Sequence, residues 1–320
     1  MAAPLYARLA ALPLAVESYE LERLEEPVTR GFTRVTTVVH LQGSGVEGVG
    51  EDVTWYAEHH DREQAAGAFL PLRGSWTLDS FSDVLEMPDS HRRWAYESAA
   101  LDLALNQAGT SLAEALGRDP QPVAFVISPG LGDPPTSRVV RRWLELEPSH
   151  RFKLDPAGDW SDELIAELAE TNAVVTADYK AYYRPEDGPP PDPELYRRVA
   201  EGFPRAYLED PALTDETDAV LAPHRERVTW DAPIHSVADV EALPFPPRVL
   251  NSKPSRFGRL QELLAFYDHC EANGIALYGG GMFELGPGRG QIQYLASLFH
   301  ADGPNDVAPR AYNAPEPREG

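Results

Sequence analysis

From about residue 120 onward, short apolar runs alternate with stretches of helical periodicity, which is the pattern of repeated βα units. Seven strands are predicted there, at Val123–Ser128, Arg151–Leu154, Val174–Asp178, Ala206–Glu209, Val228–Asp231, Arg248–Asn251 and Ile275–Tyr278. Successive right-handed crossovers of this kind favour a closed ring over an open sheet. The sequence therefore predicts an α/β fold built on a TIM barrel, although no eighth strand stands out after Phe299.

The first 118 residues have a different pattern, that of an α+β domain. Ser18–Leu24, Thr33–Leu41 and Val46–Val53 alternate like the strands of a meander. Helices are predicted to follow at Ser90–Ala108 and Ser111–Leu116, the second with a capping box at its start. The expected organisation is an α+β domain at 1–118, a barrel at 119–300 and an irregular return segment at 301–320 that packs near the first domain.

One ionisable side chain lies at or near the end of each of five successive predicted strands. These residues are Lys153, Asp178, Glu209, Asp231 and Lys253. The C-terminal ends of barrel strands meet at one face, where catalytic groups lie. Three carboxylates converging there would repel one another unless a cation lies among them, and all-oxygen ligation suits Mg²⁺ or Mn²⁺. Any one of these acids alone would be read as a solvated loop charge, so the prediction depends on the whole set.

Lysine is rare in this chain: among 28 basic residues only Lys153, Lys180 and Lys253 are lysines. Arginine stays protonated in proteins, whereas lysine can lose its proton and act as a base. A metal-bound substrate carboxylate acidifies its α-carbon, because the resulting enediolate spreads its charge onto the metal-bound oxygens. Lys153 and Lys253, on strands across the ring, could flank that carbon from opposite faces. This permits racemisation, or abstraction by one lysine while the other stabilises the anion.

The formal net charge is −23, from 28 basic and 51 acidic residues. Such a chain repels nucleic acid and anionic lipid, and no apolar run is long enough to cross a bilayer. Cys270 is the single cysteine, which excludes an intramolecular disulfide and favours a reducing cytoplasm. The expected partner is a small-molecule carboxylate, with no nucleic acid and no membrane, while a homo-oligomer stays open.

Several segments resemble those of a known superfamily. The most specific are Lys253-Pro-Ser-Arg-Phe-Gly258, after the sixth strand, and Gly280-Gly-Met-Phe-Glu-Leu-Gly-Pro-Gly-Arg289, after the seventh. Arg151-Phe-Lys153 and Leu208-Glu-Asp-Pro211 match further strand motifs. At these residues the sequence resembles the enolase superfamily. It is nearest the muconate cycloisomerase subgroup, which includes o-succinylbenzoate synthases and N-acylamino acid racemases.

The resemblance implies a modified TIM barrel of the (β/α)7β type with the N-terminal domain as its cap. It also implies Mg²⁺ held by Asp178, Glu209 and Asp231, with Lys153 and Lys253 as the acid and base. Loops of the cap would read the distal end of the substrate, and for the two aromatic candidates a structural role is an equal alternative. The substrate-binding candidates that follow from the resemblance are Arg30, Phe32 and Trp55 in the cap, and Glu284 after the seventh strand.

Three features depart from the family pattern. Lys180 stands where an asparagine usually follows the metal-binding aspartate by two residues. If the strand continues, Lys180 points into the pocket, where it would bind a substrate anion or take the place of the metal. Ala232 replaces an acid and so removes a partner of a metal ligand. The expected eighth strand lacks an Asp-x-Asp motif, which argues against a dipeptide epimerase. His235, after the fifth strand, is a further candidate for substrate contact.

The predicted function is that of a divalent-metal-dependent enzyme that abstracts the α-proton of a carboxylate substrate. The leading hypothesis is dehydration like that of o-succinylbenzoate synthases. In it Lys153 abstracts the proton, and Lys253 stabilises the enediolate as a cation. The alternatives within this class are racemisation and cycloisomerisation of an N-acyl amino acid or a related carboxylate. A hypothesis of another class is a non-catalytic binding protein in which Lys180 replaces the metal.

Overall fold

The structure is a computed structural model that describes residues 3–28, 32–182 and 191–313. The strands of the N-terminal domain are β1 (Pro13–Val16), β2 (Ser18–Pro27), β3 (Thr33–Gly43), β4 (Val46–Asp52) and β5 (Gly74–Thr77). Its helices are α1 (Ala57–Ala66), α2 (Leu78–Asp83), α3 (Ser90–Ala108) and α4 (Leu112–Leu116). An antiparallel sheet has the order β2-β3-β4, while β1 pairs with β5. The predicted α+β domain is confirmed.

Helix α3 packs closely on strand β4, and two glycines make that approach possible. A Cβ atom at Gly48 would lie 2.2 Å from the backbone nitrogen of Leu103, and one at Gly50 would lie 2.0 Å from the carbonyl oxygen of Ala95. Any larger residue would therefore push the helix away from the sheet. This contact fixes the end of β4, and with it the segment that leads from the cap toward the barrel.

The barrel domain alternates short strands with helices. Its strands are β6 (Phe152–Leu154), β7 (Val174–Asp178), β8 (Tyr207–Glu209), β9 (Val228–Thr229), β10 (Val249–Ser252) and β11 (Ala276–Gly279). Its helices are α5 (Arg138–Leu146), α6 (Asp162–Glu170), α7 (Pro193–Gly202), α8 (Asp215–Leu221), α9 (Val237–Glu241), α10 (Pro254–Phe257), α11 (Leu260–Asn273) and α12 (Gly288–Phe299). Strands β6 to β9 are parallel neighbours in chain order, and β10 pairs in parallel with β11. Between these two groups, the Asn251 N–H donates to the carbonyl of Trp230 at 3.1 Å.

The ring closes through residues outside these strands. Ile127 bridges β6 in parallel, and Phe125 bridges Asn305. Asp306 in turn bridges Gly280, directly after β11. Asn305 and Asp306 thus occupy the position of the eighth strand, beyond the predicted barrel boundary at residue 300. The predicted fold class, a modified TIM barrel with an N-terminal α+β cap, is confirmed.

The long helix α11 shows why the apolar pattern predicts this packing. Leu260, Leu263, Leu264 and Tyr267 are all buried, as their spacing along one helical face predicts. The helix ends at Gly274, whose φ of +65° is the left-handed conformation that glycine adopts most readily. Within the described residues, no helix combines the length and the apolar character that crossing a membrane requires.

Candidate active site

The C-terminal ends of the barrel strands open into a cavity of about 710 Å³. The cap contributes the segment after β4, and the barrel contributes strand ends and the loops that follow them. The lining residues are Trp55, Tyr56, Lys153, Asp178, Lys180, Tyr182, Lys253, Gly281, Met282, Phe283 and Asp306. All three lysines of the chain are among them. The rarest basic residue is therefore concentrated at one place.

Lys153 lies on β6 with its ammonium group among three carboxylates. Its Nζ atom is 2.5 Å from Glu209 Oε1, 3.0 Å from Asp178 Oδ2 and 3.6 Å from Asp306 Oδ2. Burial by itself lowers the pKa of this lysine, but the charges of Asp178 and Glu209 outweigh it and hold the pKa well above its ordinary value. These contacts favour the ammonium form and hold it against the acids.

Three buried carboxylates converge beside this lysine. One oxygen atom from each of Asp178, Glu209 and Asp210 lies within 4.8 Å of the other two. Burial raises the pKa of Glu209 well above its ordinary value, because a charged carboxylate is poorly solvated there. An all-oxygen set of this kind could hold a metal ion, whose charge would also offset the repulsion between the acids.

Asp210 belongs to this group although the strand-end pattern does not single it out. Its carboxylate accepts the backbone N–H of Asp231 at 2.8 Å and that of Ala232 at 2.9 Å. Burial and the nearby charge of Asp231 raise its pKa to about 7. Asp210 thus fixes the backbone on which Asp231 is carried. The signal for it in the sequence is its place in the Leu208-Glu-Asp-Pro211 motif.

Asp231 forms a second cluster with two cations. Its Oδ2 atom lies 2.7 Å from Lys253 Nζ and 3.3 Å from Arg256 Nη2. Burial would raise the pKa of Asp231, but Arg256 and Lys253 outweigh it and lower the pKa below its ordinary value. Asp231 is not in the group of acids within 4.8 Å found among the described residues. Its role as a metal ligand stays a prediction.

Ala232 retains two contacts of the fifth-strand end despite its missing carboxylate. Its N–H donates to Asp210, and its carbonyl accepts a hydrogen bond from Arg256 Nη1 at 2.7 Å. Backbone groups can make these contacts whatever the side chain is. The expected acid is therefore missing at Ala232 while the backbone of this residue stays paired.

The structure corrects the predicted course of the chain at Lys180. Strand β7 ends at Asp178, and Lys180 has a φ of +52° with its N–H donating to Asp178 Oδ1 at 3.0 Å. The strand therefore does not continue to Lys180. The lysine still lines the cavity, and its Nζ atom lies 2.7 Å from Asp155 Oδ2. Both side chains are close to half exposed, so this ion pair lies where solvent reaches it.

The cap contributes an aromatic wall. The rings of Phe32 and Trp55 are stacked, with centroids 5.1 Å apart and planes inclined by 15°. Trp55 lines the cavity, whereas Phe32 contacts Trp55 and is not among the lining residues. Phe32 is thus placed to support Trp55. Arg30, the third candidate of the cap, lies outside the described residues.

Two further candidates lie apart from the cavity lining. Glu284 is buried, and its Oε1 atom accepts the N–H of Met282 at 2.6 Å. His235 is exposed, with its ring near the carbonyl of Pro233 at 3.2 Å and its N–H donating to Asp239. Neither residue is among those that line the cavity. Their predicted contact with substrate stays a prediction.

Two further residues of the site carry no clear signal in the sequence. Asp306 lines the cavity and approaches Lys153 from the eighth-strand position. Tyr278 donates its hydroxyl to Glu209 Oε2, whereas Lys153 donates to Oε1 of the same carboxylate. A predicted strand does not show toward which side the ring of Tyr278 points. Asn305 and Asp306 are too few residues to produce a strand pattern in the sequence.

A TIM-type barrel with this cap is the architecture of solved members of the enolase superfamily, to which this chain is similar. A member of that superfamily from Listeria innocua has the same fold, with a TM-score of 0.72 and 20% identity, covering 92% of this chain and 86% of the other. The dipeptide epimerase from Methylococcus capsulatus, solved with Mg ion, also has a TM-score of 0.72, with 20% identity over 92% of this chain and 90% of its own.

The chain belongs to the family described as domain of unknown function DUF8230, whose N-terminal domain matches residues 7–115 and whose C-terminal domain matches residues 119–314. An N-succinylamino acid racemase of Thermus thermophilus is 29% identical over 324 residues, or 92% of this chain and 86% of the relative. An o-succinylbenzoate synthase of Bacillus subtilis is 28% identical over 293 residues, or 84% and 76%. The predicted resemblance and the predicted class of enzyme are confirmed.

Proposed function

We propose that the protein abstracts the α-proton of a small carboxylate substrate in a Mg²⁺-dependent reaction, and that this reaction is a dehydration like that of o-succinylbenzoate synthases. The observation that carries the proposal is the position of Lys153 and Lys253. Both are buried, at 3% and 7% exposure, and both line the cavity that Asp178 lines too. The Thermus and Bacillus relatives support a substrate that bears a succinyl group.

The carboxylates of the site fit the metal. Asp178 and Glu209 present oxygens within 4.8 Å of each other in a buried setting, and oxygen ligands are those that Mg²⁺ prefers. We assign Asp178, Glu209 and Asp231 as the residues that would hold it, because Asp210 already accepts two backbone N–H groups. A bound Mg²⁺ would stabilise the negative charge that develops on the substrate carboxylate.

The two lysines have different surroundings and therefore different roles. Lys153, in its neutral form, is the group that would accept the α-proton, since lysine can act as a base and arginine cannot. A metal held by Asp178 and Glu209 would offset the carboxylate charges that otherwise favour the ammonium form. Lys253 shares the carboxylate of Asp231 with Arg256, so its ammonium group is held in a fixed place. From there it stabilises the anion that proton loss creates.

Racemisation of an N-succinylamino acid is the second candidate, and a specific observation favours it. Two lysines on strands across the ring reach the same cavity, so a proton removed by one could be returned by the other. Racemisation requires both lysines to exchange protons. Dehydration requires proton transfer by Lys153 and only a positive charge at Lys253.

Lys180 supplies the third cation of the cavity, and we assign it to the distal carboxylate of the substrate. Its ion pair with Asp155 lies partly in solvent, where such a pair is weak and an incoming carboxylate can replace it. Trp55, Tyr56 and Tyr182 provide apolar surface for the body of the substrate. The buried single cysteine, Cys270, supports a cytoplasmic location.

The test uses the purified chain with Mg²⁺ in deuterium oxide. One probe is an N-succinylamino acid, whose α-proton exchange is followed by NMR. The other is a hydroxylated cyclohexadiene carboxylate that yields o-succinylbenzoate on loss of water, followed by absorbance of the aromatic product. Formation of the aromatic product establishes dehydration, whereas exchange with inversion and no aromatic product establishes racemisation. If the chain catalyses no α-proton exchange and forms no aromatic product, the proposed function is refuted.

Conservative variants assign the roles. Lys153→Arg keeps the charge but removes the base, so both reactions should fall by about 10²- to 10⁴-fold, the usual contribution of a positioned acid or base. Lys253→Arg should retain more dehydration than Lys253→Ala, because only the charge is needed, while racemisation is lost in both. Equal dehydration by these two variants would contradict the assigned role of Lys253. Circular dichroism establishes that each variant is folded.

A further inference from the structure

A buried arginine connects the cap to the barrel beside the cavity. Arg34 lies on β3 with 0% of its surface exposed. Its guanidinium donates to the carbonyl oxygens of Val53 at 2.7 Å, Thr54 at 2.8 Å and Trp55 at 3.4 Å. It also lies over the ring of Trp55, at 5.0 Å from the ring centroid. The segment 53–55 is thus held by its backbone, whichever side chains it carries.

The same guanidinium holds a second segment, which belongs to the barrel. Nη2 donates to the carbonyl of Met282 at 3.0 Å, and Nε donates to that of Phe283 at 3.4 Å. Phe283 has a φ of +63°, a conformation that a bulky residue keeps only where its surroundings enforce it. Met282 and Phe283 line the cavity, as Trp55 does from the cap.

The geometry suits arginine and no other residue. A guanidinium has five N–H donors in a rigid plane, and here it serves five carbonyl groups on two chain segments. All five of these hydrogen bonds from Arg34 go to backbone carbonyls. Its charge is balanced at a distance by Glu284, Glu51 and Asp52. A lysine at this position would have three donors on one atom and could not reach both segments.

We propose that Arg34 is a positioning residue that locks segments 53–55 and 282–283 into one wall of the substrate cavity. The wall is formed before substrate arrives, so binding does not have to order it. Arg34 touches none of the strand-end acids or lysines through a hydrogen bond. It therefore acts on substrate binding and specificity, while proton transfer depends on other residues. The kinetic part of this inference rests on the proposed function.

The first test measures the wall without any substrate. Backbone hydrogen exchange of the full chain is followed by mass spectrometry for peptides that cover 53–56 and 281–284. In Arg34→Lys both peptides should exchange at least about tenfold faster. Without the hydrogen bonds of the Arg34 guanidinium to both segments, less free energy is needed to open either segment locally. The matched control is Arg227→Lys. Arg227 lies directly before β9, and it also donates to backbone carbonyls, namely those of Ala200, Phe203 and Ala206. It should leave both peptides unchanged.

The second test measures KM and kcat with the substrate established for the wild-type chain. In Arg34→Lys we expect KM to rise about tenfold, the cost of ordering about two side chains on binding, with kcat changed less than about threefold. A fall in kcat with KM unchanged would overturn the inference. So would unchanged exchange at 53–56 and 281–284, and that readout stands even if the proposed reaction is wrong.

If Arg34→Lys does not fold, native-state exchange of the wild-type chain in increasing denaturant decides the matter. One guanidinium that holds both segments requires them to open together, with the same free energy and the same denaturant dependence. Separate opening of the two segments would overturn the inference.

Discussion

Glu63, a buried acid of the cap, makes stability depend on pH in a way that the structure allows to be calculated. It lies on α1, accepts the Tyr96 hydroxyl at 3.1 Å and has its Oε2 atom 3.2 Å from Arg92 Nε. Burial first, and the charge of Asp52 second, raise the pKa of Glu63 from 4.5 to about 7, although Arg92 acts in the opposite direction. The perturbation that tests this is Glu63→Gln, which keeps the size and removes the titration.

The sign and size follow from the two pKa values. Between pH 4.5 and about 7 the folded chain keeps a proton on Glu63 that the unfolded chain releases, so the stability of the wild type falls as pH rises through this window. The interval corresponds to about 3 kcal/mol at about 1.4 kcal/mol per pKa unit. Glu63→Gln has no such loss. The free energy of unfolding of Glu63→Gln, relative to that of wild type, should therefore rise by about 3 kcal/mol from pH 4 to pH 8.

Urea unfolding at the two pH values, followed by circular dichroism, measures the free energy of unfolding of both chains. The matched control is Glu58→Gln, which removes a charge from an exposed position on the same helix. That variant should differ from wild type by the same amount at both pH values. If Glu63→Gln also shows a difference that does not change with pH, the reasoning about burial and Asp52 is wrong.

Two predictions concern the barrel. Asp231→Asn should weaken Mg²⁺ binding in calorimetry by more than about 100-fold, whereas Asp210→Asn should weaken it by about 10- to 100-fold, because Asp210 acts through the backbone it holds. The reverse order would make Asp210 a ligand in place of Asp231. Lys180→Asn, which introduces the asparagine expected from the enolase-superfamily resemblance, should raise KM about tenfold for a succinyl substrate, the worth of one charge-assisted hydrogen bond. It should leave KM unchanged for the acetyl analogue, and an equal rise for both would refute the role in distal carboxylate binding.

The barrel and most of its rim could be predicted because periodicity and position are local properties of the sequence. The alternation of strand and helix patterns is visible without knowing what packs where. Once a barrel is expected, residues at strand ends must share one face. Lys153, Asp178 and Lys253 therefore line one cavity as expected, and their contacts with Glu209 and Asp231 follow from the same register.

The closing strand could not be predicted, because its pairing is almost entirely non-local. Asn305 and Asp306 make single bridges to Phe125 and Gly280, and two residues produce no alternation. The conformation of Lys180 depends in the same way on one tertiary detail. Its N–H donates to the carboxylate of Asp178, which stabilises the turn at a positive φ and ends the strand early. Arg34 is hidden for a similar reason, since its carbonyl partners lie on two distant segments.

Arginine and lysine occupy different kinds of position in this chain. Arg34 and Arg256 hold backbone geometry. Arg34 donates to several backbone carbonyls and Arg256 donates to that of Ala232, and a guanidinium that never loses its proton does this without changing state. The three lysines line the cavity where, in the proposed reaction, a cation exchanges a proton or gives way to a ligand. Since arginine fills 25 of the 28 basic positions, and all three lysines reach one cavity, composition alone directs attention to the site. Chance surface lysines would have been scattered over the molecule.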